Sequence, residues 1–299
     1  MTYLVRTAAE IAPAPSAPYG PHAAGYGRDD LVGRGDGAVH TGFALCELAP
    51  GGHVGTHLHS REESFYVLEG EPTLVLDGRA HRLVPGECGL IPLGAEHAWR
   101  ASGGAPARWL EMAAPAPRLD GPPDTFFTGA EPAAGAGEPL DIRDPRLRTF
   151  FRLDPGAMDL DNRKLGAPVD APTVSASMAT ALLAYSGITL NMLVDQRLGA
   201  VLHTMFMVEY EPGGVAQPHD HPLEEAYYLL AGEIEATADG AVFTLAPGDF
   251  FWTGVGCIHS FANRSDARVR WLETQSPQPP SNHSYRFDRD WDHLARKLS

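Results

Sequence analysis

An internal repeat constrains the fold of this chain more than any other feature of its sequence. The two copies are offset by 162 residues, the separation between His57 and His219. The segment Arg-Trp-Leu-Glu at 108–111 recurs at 270–273. The same offset relates five pairs of glycines: Gly51/Gly213, Gly70/Gly232, Gly78/Gly240, Gly86/Gly248 and Gly94/Gly256. No insertion separates the copies, which predicts one domain duplicated in tandem.

Each copy breaks into short apolar or alternating segments, such as EPTLVLDG in the first and EIEATADG in the second. Gly, Pro or Asp-Gly turns separate them, and the chain contains 32 Gly and 26 Pro. Closely spaced short strands are typical of antiparallel barrels and sandwiches. The sequence therefore predicts an all-β protein with two barrels.

The second copy contains a histidine pattern that suits a metal site. Side chains alternate faces along a strand, so His219 and His221 point the same way and Glu225 has the parity to join them. Two imidazoles and a carboxylate on one face are metal-ligand types, and His259 is a fourth candidate. At the same spacing the first copy supplies an equivalent set: His57, His59, Glu63 and His97.

These residues lie in segments that resemble the two cupin motifs. GGHVGTHLHSREESFYVLEG and GGVAQPHDHPLEEAYYLLAG resemble the first motif, G(X)5HXH(X)3E(X)6G. PGECGLIPLGAEHAWRA and PGDFFWTGVGCIHSFAN resemble the second, G(X)5PXG(X)2H(X)3N. Ala101 replaces the motif's Asn in the first copy, and Gly254 replaces its Pro in the second. The chain thus resembles a bicupin, which implies two tandem double-stranded β-helix, or jelly-roll, barrels.

The resemblance also implies that four donors converge inside each barrel, and that the chain binds up to two metal ions. Three imidazoles with one carboxylate suit Fe, Mn, Ni, Co or Zn, and the sequence does not choose among them. The implied ligands are His57, His59, Glu63 and His97 in the first barrel, and His219, His221, Glu225 and His259 in the second.

Composition shifts predict three segments. Residues 1–120 form the first barrel with an extended arm, residues 121–165 a Pro/Gly/Ala-rich linker, and residues 166–299 the second barrel. Short helical pieces are expected in the linker, within 146–165, and at the C-terminus in RDWDHLARKL.

The second barrel is the stronger candidate for catalysis. Tyr227 and Asn263 have the parity of Glu225 and His259, so both are candidates to line a pocket. Glu224 is a further candidate, as a general acid or base or as a partner of a ligand. Each has an alternative structural role, because interior positions of small barrels usually hold core side chains and Glu224 can be an exposed charge.

Charge and cysteine content limit the partners and the location. A net charge of −15 without a Lys/Arg-rich run argues against nucleic acid and anionic membranes. Three cysteines without a CxxC pair are typical of a cytoplasmic protein, and no signal peptide or membrane span is predicted. We expect a small-molecule substrate and a homo-oligomer, such as a dimer.

Three functions are compatible with these patterns. The favoured one is a metal-dependent oxidoreductase, most simply a dioxygenase that acts on a small oxygenated or aromatic acid. The second is a non-redox enzyme: an isomerase, a lyase or an aminohydrolase, as in the ureidoglycine aminohydrolase family, another bicupin family. The third is a non-catalytic protein that binds a metal or a small molecule.

Overall fold

The computed structural model of the chain describes residues 2–118, 124–130, 132, 135, 137–144, 147–158, 186–278, 286–287 and 296. The chain divides into two compact units, each holding one copy of the repeat. The first-barrel unit comprises Ile11–Arg152 and Val194–Leu202. The second-barrel unit comprises Met1–Glu10, Leu153–Leu193 and His203–Ser299.

These units differ from the predicted segments in three places, one of which is Val194–Leu202, predicted in the second barrel but part of the first-barrel unit. The N-terminal strand β1 (Tyr3–Arg6) belongs to the second-barrel unit, where it pairs antiparallel with residues 250–253. The predicted linker contributes strands to the first barrel rather than only joining the two domains. Both segments pair with strands that are distant in sequence, and local composition carries no signal for such pairing.

The described strands of the first-barrel unit form one sheet of eleven strands. They are β2 (Ala23–Val32), β3 (Gly42–His59), β4 (Glu62–Glu69), β5 (Pro72–Leu76), β6 (Arg79–Arg82), β7 (Glu87–Ile91), β8 (His97–Ala101), β9 (Ala107–Ala114), β10 (Thr125–Phe127), β11 (Glu138–Pro139) and β12 (Phe150–Arg152). The main path runs β11-β6-β5-β8-β3-β9-β4-β7-β12, and β2 and β10 also pair with β3.

The described strands of the second-barrel unit form two sheets. Besides β1 they are β13 (Ile188–Val194), β14 (Thr204–Tyr210), β15 (Val215–Asp220), β16 (Glu224–Ala231), β17 (Ile234–Ala238), β18 (Ala241–Leu245), β19 (Phe250–Thr253), β20 (His259–Ala262), β21 (Val269–Ser276) and β22 (Arg286–Phe287). One sheet has the order β1-β19-β16-β21-β14-β13, and the other has the order β18-β17-β20-β15-β22. The prediction of an all-β fold with one domain for each copy of the repeat is confirmed.

Alternation along the strands builds an apolar core in each barrel. Trp109 on β9 and Trp271 on β21, which occupy the same place in the repeat, are 0% and 1% exposed. Each packs among buried aromatic and aliphatic side chains of its own unit. Full burial of a large apolar side chain contributes about 1.5–3 kcal/mol relative to exposure.

The repeat extends to backbone conformation. Gly70 and Gly232 both have positive φ, +72° and +74°. A Cβ at Gly70 would lie 2.3 Å from the carbonyl oxygen of Pro106, and one at Gly232 would lie 2.4 Å from that of Arg268. Only glycine fits a left-handed backbone at such close approach, so the periodic glycines mark equivalent turns of the two barrels.

Helical structure in the described residues consists of short 3-10 turns and one residue near the C-terminus. Pro155–Met158 lies where the sequence predicts a helical piece in the linker. The predicted C-terminal helix falls outside the described residues except for Arg296, which is helical. In the part of the chain that the structure describes, no helix has both the length and the apolar character needed to cross a membrane.

Candidate metal centres

Strand pairing brings the predicted histidines together in each barrel. In the first barrel His57 on β3 lies directly opposite His97, the first residue of β8. In the second, His219 on β15 lies opposite His259, the first residue of β20. The second histidine of each HxH pair is two residues further along. The strand ladder thus places the histidine of the second motif beside those of the first.

The carboxylates come from the neighbouring strands. Glu63 on β4 pairs with Ile91 on one side and Ala113 on the other. Glu225 on β16 pairs in the same register with Thr253 and Gln275. Both glutamates are 1% exposed. The repeat therefore holds the two carboxylates at equivalent positions, but their surroundings differ.

The first centre contains a group of three imidazoles whose ligating atoms lie within 4.8 Å of one another, from His57, His59 and His97. The Nδ1 of His57 lies 2.8 Å from the carbonyl oxygen of Gly55, and that of His97 lies 3.0 Å from that of Ala95. A carbonyl only accepts, so each Nδ1 carries the proton and each Nε2 keeps its lone pair. This tautomer is the one a metal needs.

Glu63 completes the first centre. Its Oε2 lies 3.0 Å from Nε2 of His59, and its Oε1 lies 3.9 Å from Nε2 of His97. Among the residues that the structure describes, neither oxygen of Glu63 nor Nε2 of His97 has a hydrogen-bond partner of acceptable geometry. Buried polar atoms are normally satisfied. The donor set therefore fits a divalent transition metal, which would satisfy these atoms together.

Burial keeps these imidazoles in the neutral, ligating form. It lowers the pKa of His57 to about 3, with a further contribution from His97, and it lowers the pKa of His97 to about 4. The pKa of His59 lies well below its usual value because of burial and the neighbouring Arg61 cation. Neutral imidazoles bind a metal without first losing a proton.

The second centre is organised around Glu225. Its Oε2 lies 2.7 Å from Nε2 of His221 and 3.3 Å from Nε2 of His259, and these three residues form the group within 4.8 Å. Burial opposes ionisation of Glu225, but His221 and His259 outweigh it, and the pKa of this carboxyl lies well below its usual range. His219 stands outside this group, with its ring centroid 4.3 Å from that of His259.

Main-chain carbonyls hold all three imidazoles of the second set, as they hold His57 and His97 of the first. The Nδ1 atoms of His219, His221 and His259 lie 2.7, 2.8 and 3.0 Å from the oxygens of Gln217, Leu223 and Cys257. Burial and the nearby His259 lower the pKa of His219 to about 3. Of the eight predicted ligands, six form these two groups, and Glu63 and His219 lie beside them; all eight are buried.

Of the three catalytic candidates, Tyr227 lies at the second centre. Its hydroxyl donates a hydrogen bond to Oε2 of Glu225 and lies 3.1 Å from Nε2 of His259. Phe65 occupies the equivalent position in the first barrel and is fully buried.

Asn263 makes main-chain contacts instead. Its Nδ2 donates to the carbonyl oxygens of Tyr210, Glu211 and Ala267, and its Oδ1 accepts from Ser265. The amide is thus engaged in holding the turn after β20. The expectation that Asn263 presents this amide to a substrate finds no support in the geometry.

Glu224 is buried, at 3% exposure, and alternation along β16 directs it away from the face that carries Glu225. The simple alternative of an exposed charge is therefore wrong. The equivalent residue, Glu62, accepts hydrogen bonds from the backbone N–H groups of Val201 and Leu202.

Several polar residues near the centres were missed by sequence reasoning. Gln275 donates to Oε1 of Glu225 at 2.7 Å. Burial and the nearby Glu225 raise the pKa of Glu273 well above its usual value. In the first barrel the polar residues near the centre are different ones, namely Arg28, Arg61 and Glu111. The sequence contained a signal for two of these residues, because Glu111 and Glu273 are the glutamates of the repeated segment Arg-Trp-Leu-Glu.

Comparisons with known proteins agree with this architecture. The family model described as a cupin domain matches twice, at residues 44–113 and 206–274. The beta-D-galactosidase Rv1717 of Mycobacterium tuberculosis is 37% identical over 65 residues, which make up 22% of this chain. The match spans 56% of that relative's length.

Two solved structures share the fold over most of the chain. Oxalate decarboxylase from Bacillus subtilis has a TM-score of 0.61 at 14% identity, over 100% of this chain and 83% of the other. A salicylate 1,2-dioxygenase from Pseudaminobacter salicylatoxidans has a TM-score of 0.57 at 16% identity, over 79% and 71%. At these identities the likeness shows the fold and nothing further.

Proposed function

Because this chain is a bicupin of the cupin superfamily, we propose that it is a metal-dependent enzyme. The function that fits best is an oxidoreductase of the dioxygenase type that acts on a small oxygenated or aromatic acid.

One observation carries the proposal: the first centre contains buried donor atoms that nothing else in the described chain satisfies. The two oxygens of Glu63 and Nε2 of His97 lack hydrogen-bond partners and lie beside the other imidazoles. Each unsatisfied buried polar group costs about 1–3 kcal/mol. A bound cation at this site would satisfy these oxygen and nitrogen atoms.

The residues proposed to hold the metal are the two predicted sets. They are His57, His59, Glu63 and His97 in the first barrel, and His219, His221, Glu225 and His259 in the second. A bound Fe, Mn, Ni, Co or Zn ion supplies Lewis acidity, and iron or manganese supplies redox chemistry as well. The chain itself contributes imidazole tautomers fixed by hydrogen bonds and ligand side chains that are buried.

The names of the two structural relatives support an acid as substrate. Salicylate and oxalate are both small carboxylic acids. Because a dioxygenase and a decarboxylase share this fold, the fold alone does not determine which reaction is catalysed.

A non-redox reaction is the second candidate, and a specific feature of the second centre favours it. Tyr227 donates a hydrogen bond to Glu225, and burial together with Glu225 raises the pKa of Glu273 well above its usual value, which favours the protonated form of this neighbouring acid. An aminohydrolase, an isomerase or a lyase would use such groups for acid–base catalysis. Of the predicted catalytic residues, we therefore retain Tyr227.

Elemental analysis followed by turnover assays tests the proposal. We expect up to two equivalents of a transition metal per chain, and oxygen uptake by the Fe(II)-loaded protein with a panel of aromatic and hydroxylated acids. Turnover that persists without oxygen in the Mn(II) or Zn(II) form would favour the non-redox alternative. Metal retention without turnover under either condition would contradict both and indicate a binding protein.

We further propose that the protein is cytoplasmic and acts as a homodimer. All three cysteines are free and buried, as expected for a reducing compartment. Light scattering coupled to gel filtration tests the oligomeric state, and a monomer mass near 32.1 kDa would contradict a dimer.

A further inference from the structure

A buried arginine beside the first centre has no ion pair shorter than 3.6 Å with any residue that the structure describes. Arg61 is 4% exposed. Its Nη1 lies 3.4 Å from the hydroxyl of Thr125, and its Nη2 lies 3.5 Å from Nε2 of His59. Within the described residues its Nε has no hydrogen-bond partner. A buried guanidinium normally forms short, often bidentate, contacts with an anion, and Arg61 forms none with the described residues.

The nearby carboxylates do not fill this role. Nη2 of Arg61 lies 3.6 Å from Oε2 of Glu63 and 3.9 Å from Oε1 of Glu111. Glu111 forms its close ion pair with Arg28 instead. Glu63 is a proposed metal ligand. Neither carboxylate therefore offers Arg61 the two short hydrogen bonds that its planar fork can make.

The formal charges of the buried side chains indicate what kind of ligand this site would bind. The buried groups Arg28, Arg61, Glu63 and Glu111 carry two positive and two negative formal charges. Asp30 also pairs with Arg28, but its side chain is 70% exposed. A divalent cation at the imidazoles would leave the buried cluster with an excess of positive charge. An anionic ligand beside Arg61 would reduce this excess.

The second barrel serves as an internal comparison. Leu223 and Leu190 occupy the positions of Arg61 and Arg28 in the repeat, and both are 2% exposed. Burial and Glu225 raise the pKa of Glu273, the equivalent of Glu111, well above its usual value. The second barrel thus has two buried leucines where the first has two buried arginines. The pair of buried arginines is a property of the first barrel and not of the scaffold.

We propose that Arg61 binds the carboxylate of a small organic acid at the first centre, beside His59 and Glu63. The second barrel has no equivalent subsite. This inference rests on the proposed function and deepens it, because it assigns the acid to one barrel and to one residue. The guanidinium fork would bind the two carboxylate oxygens, and a neutral amide of the same shape would bind weakly.

Calorimetric titration of metal-loaded protein tests the proposal. The probes are benzoate and glycolate, with benzamide and glycolamide as neutral counterparts. We expect the carboxylates to bind and the amides to bind at least about tenfold more weakly. Arg61→Leu, which installs the residue of the second barrel, should weaken carboxylate binding by about 10–100-fold with unchanged metal content. Arg79→Leu, an exposed arginine of the same barrel, is the matched control.

Arg61→Lys is the second variant, for the case that Arg61→Leu does not fold. It keeps the charge and loses the fork, so we expect carboxylate binding several-fold weaker than in the wild type. Unchanged carboxylate affinity in a folded Arg61 variant would overturn the proposal and leave Arg61 a structural residue.

The outcomes separate this proposal from the proposed function. Wild-type protein that carries its metal and binds no carboxylate would overturn the Arg61 proposal alone. Wild-type protein that retains no transition metal would overturn the proposed function itself.

Discussion

The hydroxyl of Tyr227 donates a hydrogen bond to the carboxylate of Glu225, two residues before it on the same face of β16. At the equivalent place in the first barrel, Phe65 has no hydroxyl, and Glu63 has no hydrogen-bond partner among the described residues. The two centres share their ligand types and differ in what surrounds the carboxylate. They therefore respond differently to removal of metal and to mutation.

Tyr227→Phe reproduces the first barrel's residue at the second centre. A buried hydrogen bond to a charged group contributes about 1.5–3 kcal/mol. We expect the free energy of unfolding of the metal-free protein to fall by about this amount, and by less in the metal-loaded protein, where the ion also binds Glu225. Urea unfolding of both forms measures the difference.

Tyr3→Phe is the control for that experiment. Tyr3 belongs to the second-barrel unit and stacks on Phe243 at 5.9 Å between ring centroids, a contact that phenylalanine keeps. We expect little change from it. Metal-free Tyr227→Phe protein as stable as the wild type would show that the hydroxyl does not stabilise Glu225.

The ligand positions could be predicted from sequence because two periodicities coincide. Alternation puts His57 and His59 on one face, and the offset of 162 residues repeats the pattern at His219 and His221. Predicting these ligand positions did not require knowledge of the strand order. The pairing of His57 with His97 required only that the two motifs lie on adjacent strands.

The electrostatic surroundings could not be predicted in the same way. Arg61 has the parity of His59 and Glu63, but a charged residue in a turn between strands is usually exposed. Only the tertiary structure shows it at 4% exposure beside Glu111. Asn263 illustrates the converse, because parity suits it to a pocket while its amide binds the main chain of its own turn.

Paired histidine substitutions test the two sites separately. His57→Ala with His59→Ala should remove one metal equivalent per chain, and His219→Ala with His221→Ala should remove another, because each pair supplies two of four ligands. Elemental analysis of purified protein measures this.

The matched control is His53→Ala, an exposed histidine on β3 with the same strand parity. It should leave the metal content unchanged. Full metal content in either paired variant would contradict the assignment of that site, and loss of both equivalents from one pair would show that the sites are coupled.

Removal of residues 1–10 should destabilise the second barrel. β1 covers the edge of β19 through four residue pairs, and the backbone N–H of Ala8 donates to Asp249 at 2.7 Å. In the first barrel β12 covers the edge of β7 in the same way. Truncation would expose unpaired backbone groups on β19.

We expect the truncated protein to lose about 2–4 kcal/mol of unfolding free energy, in line with several hydrogen bonds of about 1 kcal/mol each. Hydrogen exchange should show faster exchange in residues 250–253 and unchanged protection in 87–91. Equal protection of residues 250–253 in the two proteins would contradict the role assigned to the arm.

Stability of the metal-free protein should depend on pH through the site histidines. Burial holds the pKa values of His57, His97 and His219 at about 3, 4 and 3. In the unfolded chain each returns to about 6.5. Between these values the unfolded chain binds more protons than the folded protein, so the free energy of unfolding falls as the pH falls from 6.5 towards 4. Each histidine contributes up to about 1.4 kcal/mol per pH unit.

Chemical unfolding of metal-free protein at several pH values measures this slope. His57→Ala should reduce the slope, because it removes one group that the folded protein keeps unprotonated, whereas His53→Ala should not. Above pH 6.5 the histidines are neutral in both states and their contribution becomes constant. An unchanged slope in folded, metal-free His57→Ala protein would contradict the neutral state assigned to His57 and its role as a preformed metal ligand.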